Sequence, residues 1–290
     1  MAEVKDPQSS DPGRQDGIST ATSRSPRRDA RNGRDTRIEV TDGALIPGRG
    51  EKSTFSAWRI SFFGALIILV VLFFAKPHPY RDIMYFLPDG ILKTFEVTIM
   101  SIVSSLVLGL IAGLGRISRV RIINRIATIY VEIIRGIPLL VQIFYIYYAL
   151  GRVIQVPDIF AAVIAMTVCY GAYLGEIFRA GIQSIPRGQM EAAIALGLTR
   201  SQALVRVILP QTIRVVLPPI GNEFIALLKD SSLVSILAVS DLLRRGREYA
   251  SKTFAYFEAF TVVALVYLVM TLFFSRLVAL MEERMNRHVR

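Results

Sequence analysis

PRGQMEAAIALGLTRSQALVRVILP, residues 186–210, is the longest polar-punctuated interval between two apolar segments of this chain. Gln189 to Leu196 is a run of helix formers, and Gly197 suits a left-handed helix stop. Thr199 and Gln202 have the Thr-x-x-Gln spacing of a capping box, which starts a second short helix. Pro210, after Val207-Ile208-Leu209, marks entry into the next apolar segment. Ala192, Ala193 and Leu196 stand at i, i+1 and i+4, with no bulky side chain on the alanine side. A short helix with such a face, at a membrane surface, can lie closely in a groove of another protein.

On either side of this interval the chain is apolar. Hydrophobic residues make up 52% of it and mean hydropathy is +0.46, too high for an ordinary soluble domain and suited to a polytopic membrane protein. Spanning takes roughly 20 apolar residues, and six segments qualify: residues 58–75, 91–115, 126–150, 157–180, 211–228 and 257–281. Gly109 and Gly113 in the second, and Gly171 and Gly175 in the fourth, are small-residue pairs suited to close helix packing. The fifth is expected to break at Pro218-Pro219 and Gly221. Residues 1–55 are polar and poor in aromatics, the composition of a disordered tail. The expected division is a cytoplasmic tail (1–55), an N-terminal membrane helix (56–76), a main membrane domain (90–283) and a basic cytoplasmic tail (284–290). No cleavable signal is expected, because the first apolar run begins near residue 60 with no small-residue cleavage site after it.

The formal charge of +11 does not form one nucleic-acid-binding patch; many basic residues flank apolar spans, as the positive-inside rule requires. Six spans with the N-terminus inside put Arg116, Arg119, Arg121 and Arg125, the 186–210 loop and the C-terminal tail in the cytoplasm. Lys229, Arg244, Arg245, Arg247 and Lys252 then lie outside, against the rule and only partly offset by Asp230, Asp241 and Glu248.

Catalytic chemistry has little to stand on. None of the six lysines follows a glycine, so there is no phosphate-binding GxxxxGK[ST] loop, and no GxSxG or zinc cluster is present. His78 and His288 are far apart, and the single cysteine, Cys169, lies in an apolar segment. The expectation is no catalytic residue, no metal and no cofactor of the chain's own.

The 186–210 stretch resembles the EAA loop of the membrane subunits of ATP-binding-cassette importers: Glu191-Ala192-Ala193, then Gly197 after three intervening residues, then the closing Leu209-Pro210. Val207 departs conservatively from the usual Ile. Three further stretches resemble the subfamily importing polar amino acids. They are Glu132-Ile133-Ile134-Arg135-Gly136-Ile137-Pro138-Leu139-Leu140-Val141-Gln142, then Ala172-Tyr173-Leu174-Gly175-Glu176-Ile177-Phe178-Arg179-Ala180-Gly181, and then the run from Pro218-Pro219 through Asn222 and Lys229 to Ser231-Ser232-Leu233. Physically, Glu132 with Arg135 and Glu176 with Arg179 are i, i+3 pairs able to neutralise each other in an apolar setting. Asn222 and Glu223 sit deep in a span with no basic residue one turn away, so they face either a polar pathway or hydrogen-bonding partners across the bundle. Lys229 and Asp230 fall near the outer surface.

The resemblance implies an all-α polytopic membrane protein with the type I importer transmembrane fold, a five-helix core preceded by one extra N-terminal helix, and a cytoplasmic coupling helix. It implies a bacterial inner-membrane permease subunit, not an enzyme, with ATP-Mg used by partner ATPase subunits. It also implies a second permease subunit (homo- or heterodimer) and a periplasmic solute-binding protein, and no nucleic acid. Arg187, Glu191, Ala192, Ala193, Gly197 and Arg200 are the candidates for ATPase coupling; Glu176, Asn222, Glu223 and Lys229 are those for the translocation pathway. A gradient-driven transporter or channel, and a membrane scaffold whose tail does the binding, are the competing classes.

Overall fold

The computed structural model describes residues 57–153 and 156–286. The expected N-terminal tail and the last residues of the expected C-terminal tail lie outside them. Every regular element among the described residues is helical. Among these residues five helices are long and apolar enough to cross a membrane, or six if one bent pair counts as a single span.

The first helix, α1 (Ala57–Ala75), is almost wholly apolar and stops at Lys76-Pro77. Its indole anchor is Trp58, whose Nε1 donates to the Leu272 carbonyl at 2.9 Å, with the Arg276 guanidinium over the ring. The short α2 (Pro77–Phe86) leads into α3 (Pro88–Arg116). Proline opens α3, Asp89 lies in its first turn and Arg116 in its last, each matched to the helix dipole.

The expected third span is not one helix. α4 (Arg121–Gly136) and α5 (Leu139–Val153) meet at 111°. Ile137 is extended (φ −109°, ψ 135°), the conformation forced on a residue before proline. The bend leaves helix-end carbonyls without backbone donors, and Gln142 supplies them: its Nε2 donates to the carbonyls of Ile134 and Ile137 at 2.5 and 2.6 Å. The Cys169 thiol in turn donates to Gln142 Oε1 at 2.8 Å, fastening the bend to the next helix, α6 (Asp158–Gln183).

The small-residue pairs of α3 and α6 face each other. A Cβ built on Gly109 would stand 2.6 Å from the Leu174 Cβ, and one on Gly113 only 2.8 Å from the Gly175 carbonyl oxygen. These two parallel helices form the centre of the bundle, around a core that includes Val97, Met166, Leu174, Leu227 and Val234.

After α6 come the short helices α7 (Arg187–Ala195) and α8 (Arg200–Ala203), a π-helical turn over Leu204–Ile208, and α9 (Leu209–Asp230). The expected break at Pro218-Pro219 is absent, and α9 runs through both prolines. Proline holds φ near the helical value, so the helix can continue at the cost of missing donors. The irregularity sits earlier, in the π turn. A 3-10 segment (Ser231–Leu237) leads to α10 (Leu242–Thr253), and the chain returns through α11 (Tyr256–Asn286). A second core joins α2, α10 and α11 through Ile83, Leu242, Val262 and Val263.

Candidate functional site: an exposed loop and a polar seam

The two short helices expected from the loop sequence are present. Gly197 ends the first in the left-handed region at φ 86°. Thr199 caps the second: its Oγ1 accepts from the Gln202 backbone at 3.3 Å, while Gln202 Oε1 accepts from the Thr199 backbone at 3.0 Å. Ala193 is buried where α7 packs against α8 and the π turn that follow it, while Arg187, Glu191, Ala192 and Arg200 are exposed. Leu196 is 84% exposed, a large apolar side chain held out at the tip of the loop. Arg187, Glu191 and Arg200 share a groove of about 530 Å³ with Met190 and Leu204. Arg119, from the turn between α3 and α4, reaches the same groove.

The other candidate residues lie along a seam between α4, α6 and α9. Arg135 does not pair with Glu132, and the expected i, i+3 bridge is missing among the described residues. Its guanidinium lies 5.3 Å from the ring centroid of Tyr173 on α6 and within electrostatic range of both Glu176 and Glu223. Glu223 on α9 thus has its basic counterpart on another helix, which local sequence could not reveal. Tyr170 donates its hydroxyl to Asp230 Oδ2 at 2.8 Å, so Asp230 belongs to the bundle and not only to its surface. Asn222 and Arg135 are exposed and Glu223 half-buried. Hydrocarbon cannot satisfy such groups, so this side of the seam faces protein or water.

Glu176 has a different setting. It forms the expected ion pair with Arg179 and a second one with Arg116 from the end of α3. Asn124 on α4 donates to the Arg116 carbonyl. Two guanidinium groups therefore occupy this carboxylate. Lys229 is exposed at the far end of α9, and its ammonium joins no ion pair among the described residues.

Sequence reading counted Asp241 only among the charges of the outer loop. It is fully buried and caps α10, accepting from the backbone N–H groups of Arg244 and Leu243 at 3.0 and 3.2 Å. The next backbone N–H, of Leu242, donates to the Thr94 hydroxyl on α3 at 3.1 Å. Burial pushes the Asp241 carboxyl up to about 6. The Asp-Leu-Leu opening of an amphipathic stretch was the available signal.

A bundle of apolar helices with a polar seam between them, and an exposed helical loop at one end, defines a multi-pass membrane transport subunit. Residues 105–287 match the family described as the binding-protein-dependent transport system inner membrane component. The chain belongs to this family: it is an inner-membrane permease subunit of an ATP-binding-cassette importer, a transport component that couples to separate ATPase subunits and works with a permease partner.

The L-cystine transport system permease protein TcyB of Bacillus subtilis is 40% identical over 209 residues, covering 70% of this chain and 88% of that protein. The glutamine transport system permease protein GlnP of Escherichia coli K12 is 37% identical over 201 residues, covering 68% and 92%. Among solved structures, an amino acid ABC transporter crystallised with histidines is similar at 40% identity and TM-score 0.67, covering 70% of this chain and 96% of that one. An inward-facing MetNI methionine transporter shares the fold at 24% identity, TM-score 0.57, covering 69% of this chain and 98% of that one.

Proposed function

We propose that the chain moves amino acids, and that the seam between α4, α6 and α9 recognises their zwitterionic backbone. The observation that carries this is the placement of Arg135 on α4 and Glu223 on α9, opposite charges from different helices, within electrostatic range of each other. The guanidinium fork matches an α-carboxylate, and the Glu223 carboxylate matches an α-ammonium. Asn222, exposed beside Glu223 on α9, supplies both donor and acceptor. Relatives named for cystine, glutamine and arginine handle different side chains on one common backbone, in keeping with a site that reads the backbone.

In this reading ATP-Mg is bound by the partner ATPase and the solute arrives from a solute-binding protein on the outer face. Closure of the ATPases moves α7 as a lever, shifting the bundle between inward- and outward-facing populations. Arg187, Glu191 and Arg200 contact the ATPase, with Ala192 and Ala193 allowing close approach. Glu176, held by two arginines, ties helices together at the loop end of the seam.

The test is ATP-driven uptake in proteoliposomes containing the complete complex and a panel of labelled amino acids. Arg135→Ala and Glu223→Gln are expected to weaken uptake of every transported amino acid, each raising KM about tenfold or more. Unchanged KM in both variants would remove the seam from the pathway.

A further inference from the structure

The groove beside α7 contains a residue that the loop alone does not supply. Arg119 belongs to the turn between α3 and α4, yet it lines the same groove as Arg187, Arg200 and Glu191. Among the described residues none of these four side chains forms an ion pair with another part of the chain. Three guanidinium groups against one carboxylate leave the groove with a surplus of two positive charges, and Met190 and Leu204 give it apolar patches. Arginines crowded without counter-charges repel one another, and a carboxylate that enters between them accepts paired hydrogen bonds from the planar forks.

We infer that this groove receives an acidic segment of the ATPase subunit, with Arg119 as a contact outside the coupling helix. The inference rests on the proposed docking of α7 and extends it to a second element of the chain. It has a mechanical consequence. Arg119 follows directly on α3, whose last turn contains Arg116, the partner of Glu176 on α6. Movement of the ATPase then pulls on α3 as well as on α7, and so on both helices of the central pair. Glu191, projecting into the same space, disfavours a phosphate-bearing lipid headgroup there and favours a partner that brings both a basic and acidic side chains.

The test uses the complete transporter with its ATPase subunit co-expressed. Arg119→Cys and Ala192→Cys are each labelled with a benzophenone maleimide; native Cys169 is fully buried and out of reach of so bulky a reagent. Irradiation is expected to join both positions to the ATPase, with the Arg119→Cys adduct mapping by mass spectrometry to a segment rich in Asp and Glu. An ATPase adduct from Ala192→Cys alone, with Arg119→Cys joined to phospholipid or to nothing, overturns the inference and leaves α7 docking intact. No adduct from either position overturns both.

A second measurement follows the charge. Arg119→Glu is expected to weaken ATPase association about tenfold, and the difference from the parent protein should shrink as salt is raised. Equal affinity for parent and variant at low salt overturns the role of Arg119.

Discussion

Arg116, in the last turn of α3, and Glu176, sixty residues further along on α6, form an ion pair to which Arg179 adds a second guanidinium. The three side chains are 16 to 27% exposed, so water screens them only in part. Removing the carboxylate leaves two cations facing each other with no shared counter-ion. Glu176→Gln is therefore expected to destabilise the bundle by about 2 kcal/mol, below the cost of breaking a fully buried pair. A lowered thermal midpoint in detergent checks this, and Arg116→Gln, which leaves the Glu176–Arg179 pair in place, should cost clearly less.

The approach of α3 to α6 admits no side chain. Gly109→Leu would drive a branched group into Leu174 and the Gly171 carbonyl, where backbone cannot yield. The expected result is loss of folded protein, read as aggregation on size-exclusion chromatography after extraction. Gly64→Leu, on α1 where nothing lies within 4 Å of an added Cβ, should leave the elution profile unchanged.

Features specified by neighbours in sequence were the legible ones. The Gly197 stop, the Thr199–Gln202 capping box, the Glu176–Arg179 pair and the glycine faces of α3 and α6 each depend on spacings of three or four residues. Two expectations failed because tertiary context overrode a local rule. Glu132 and Arg135 have the right spacing for a bridge, but the Tyr173 face and carboxylates of other helices draw Arg135 away. Pro218-Pro219 looked like a helix break, yet α9 runs through both prolines and its irregularity falls earlier, in the π turn of Leu204–Ile208. Arg116 and Tyr170 gained their roles only from helices far away in sequence.

Gly197 separates backbone strain from steric fit. Its φ of 86° lies in the left-handed region, and an added Cβ would touch nothing within 4 Å. Gly197→Ala should thus cost only about 1 kcal/mol, all of it conformational, and leave uptake measurable. Gly197→Pro cannot adopt this φ, and Glu191→Lys reverses a charge in the groove. Both are expected to abolish ATP-driven uptake while the protein still inserts in the membrane. Normal uptake in both variants would argue strongly against the coupling role of the loop.

Asp241 gives the fold a pH dependence whose sign can be worked out. Burial raises its carboxyl from the ordinary value of 3.8 to about 6, so between these values the folded protein holds a proton that the unfolded chain has released. Stability from this group therefore falls as pH rises from about 4 to about 6, then levels off, because the charged form is the one that burial disfavours. The carboxylate nevertheless caps α10, so removing the side chain and removing the charge should differ. Asp241→Asn keeps an acceptor for the Leu243 and Arg244 N–H groups and eliminates the titration. Its thermal midpoint should lose the parent's decline over that interval. Asp241→Ala should also lose the decline, but with a lower midpoint at every pH, since the helix start is left without its cap. Parent and Asp241→Asn curves that stay parallel from pH 4 to pH 6 would show that this carboxyl titrates elsewhere.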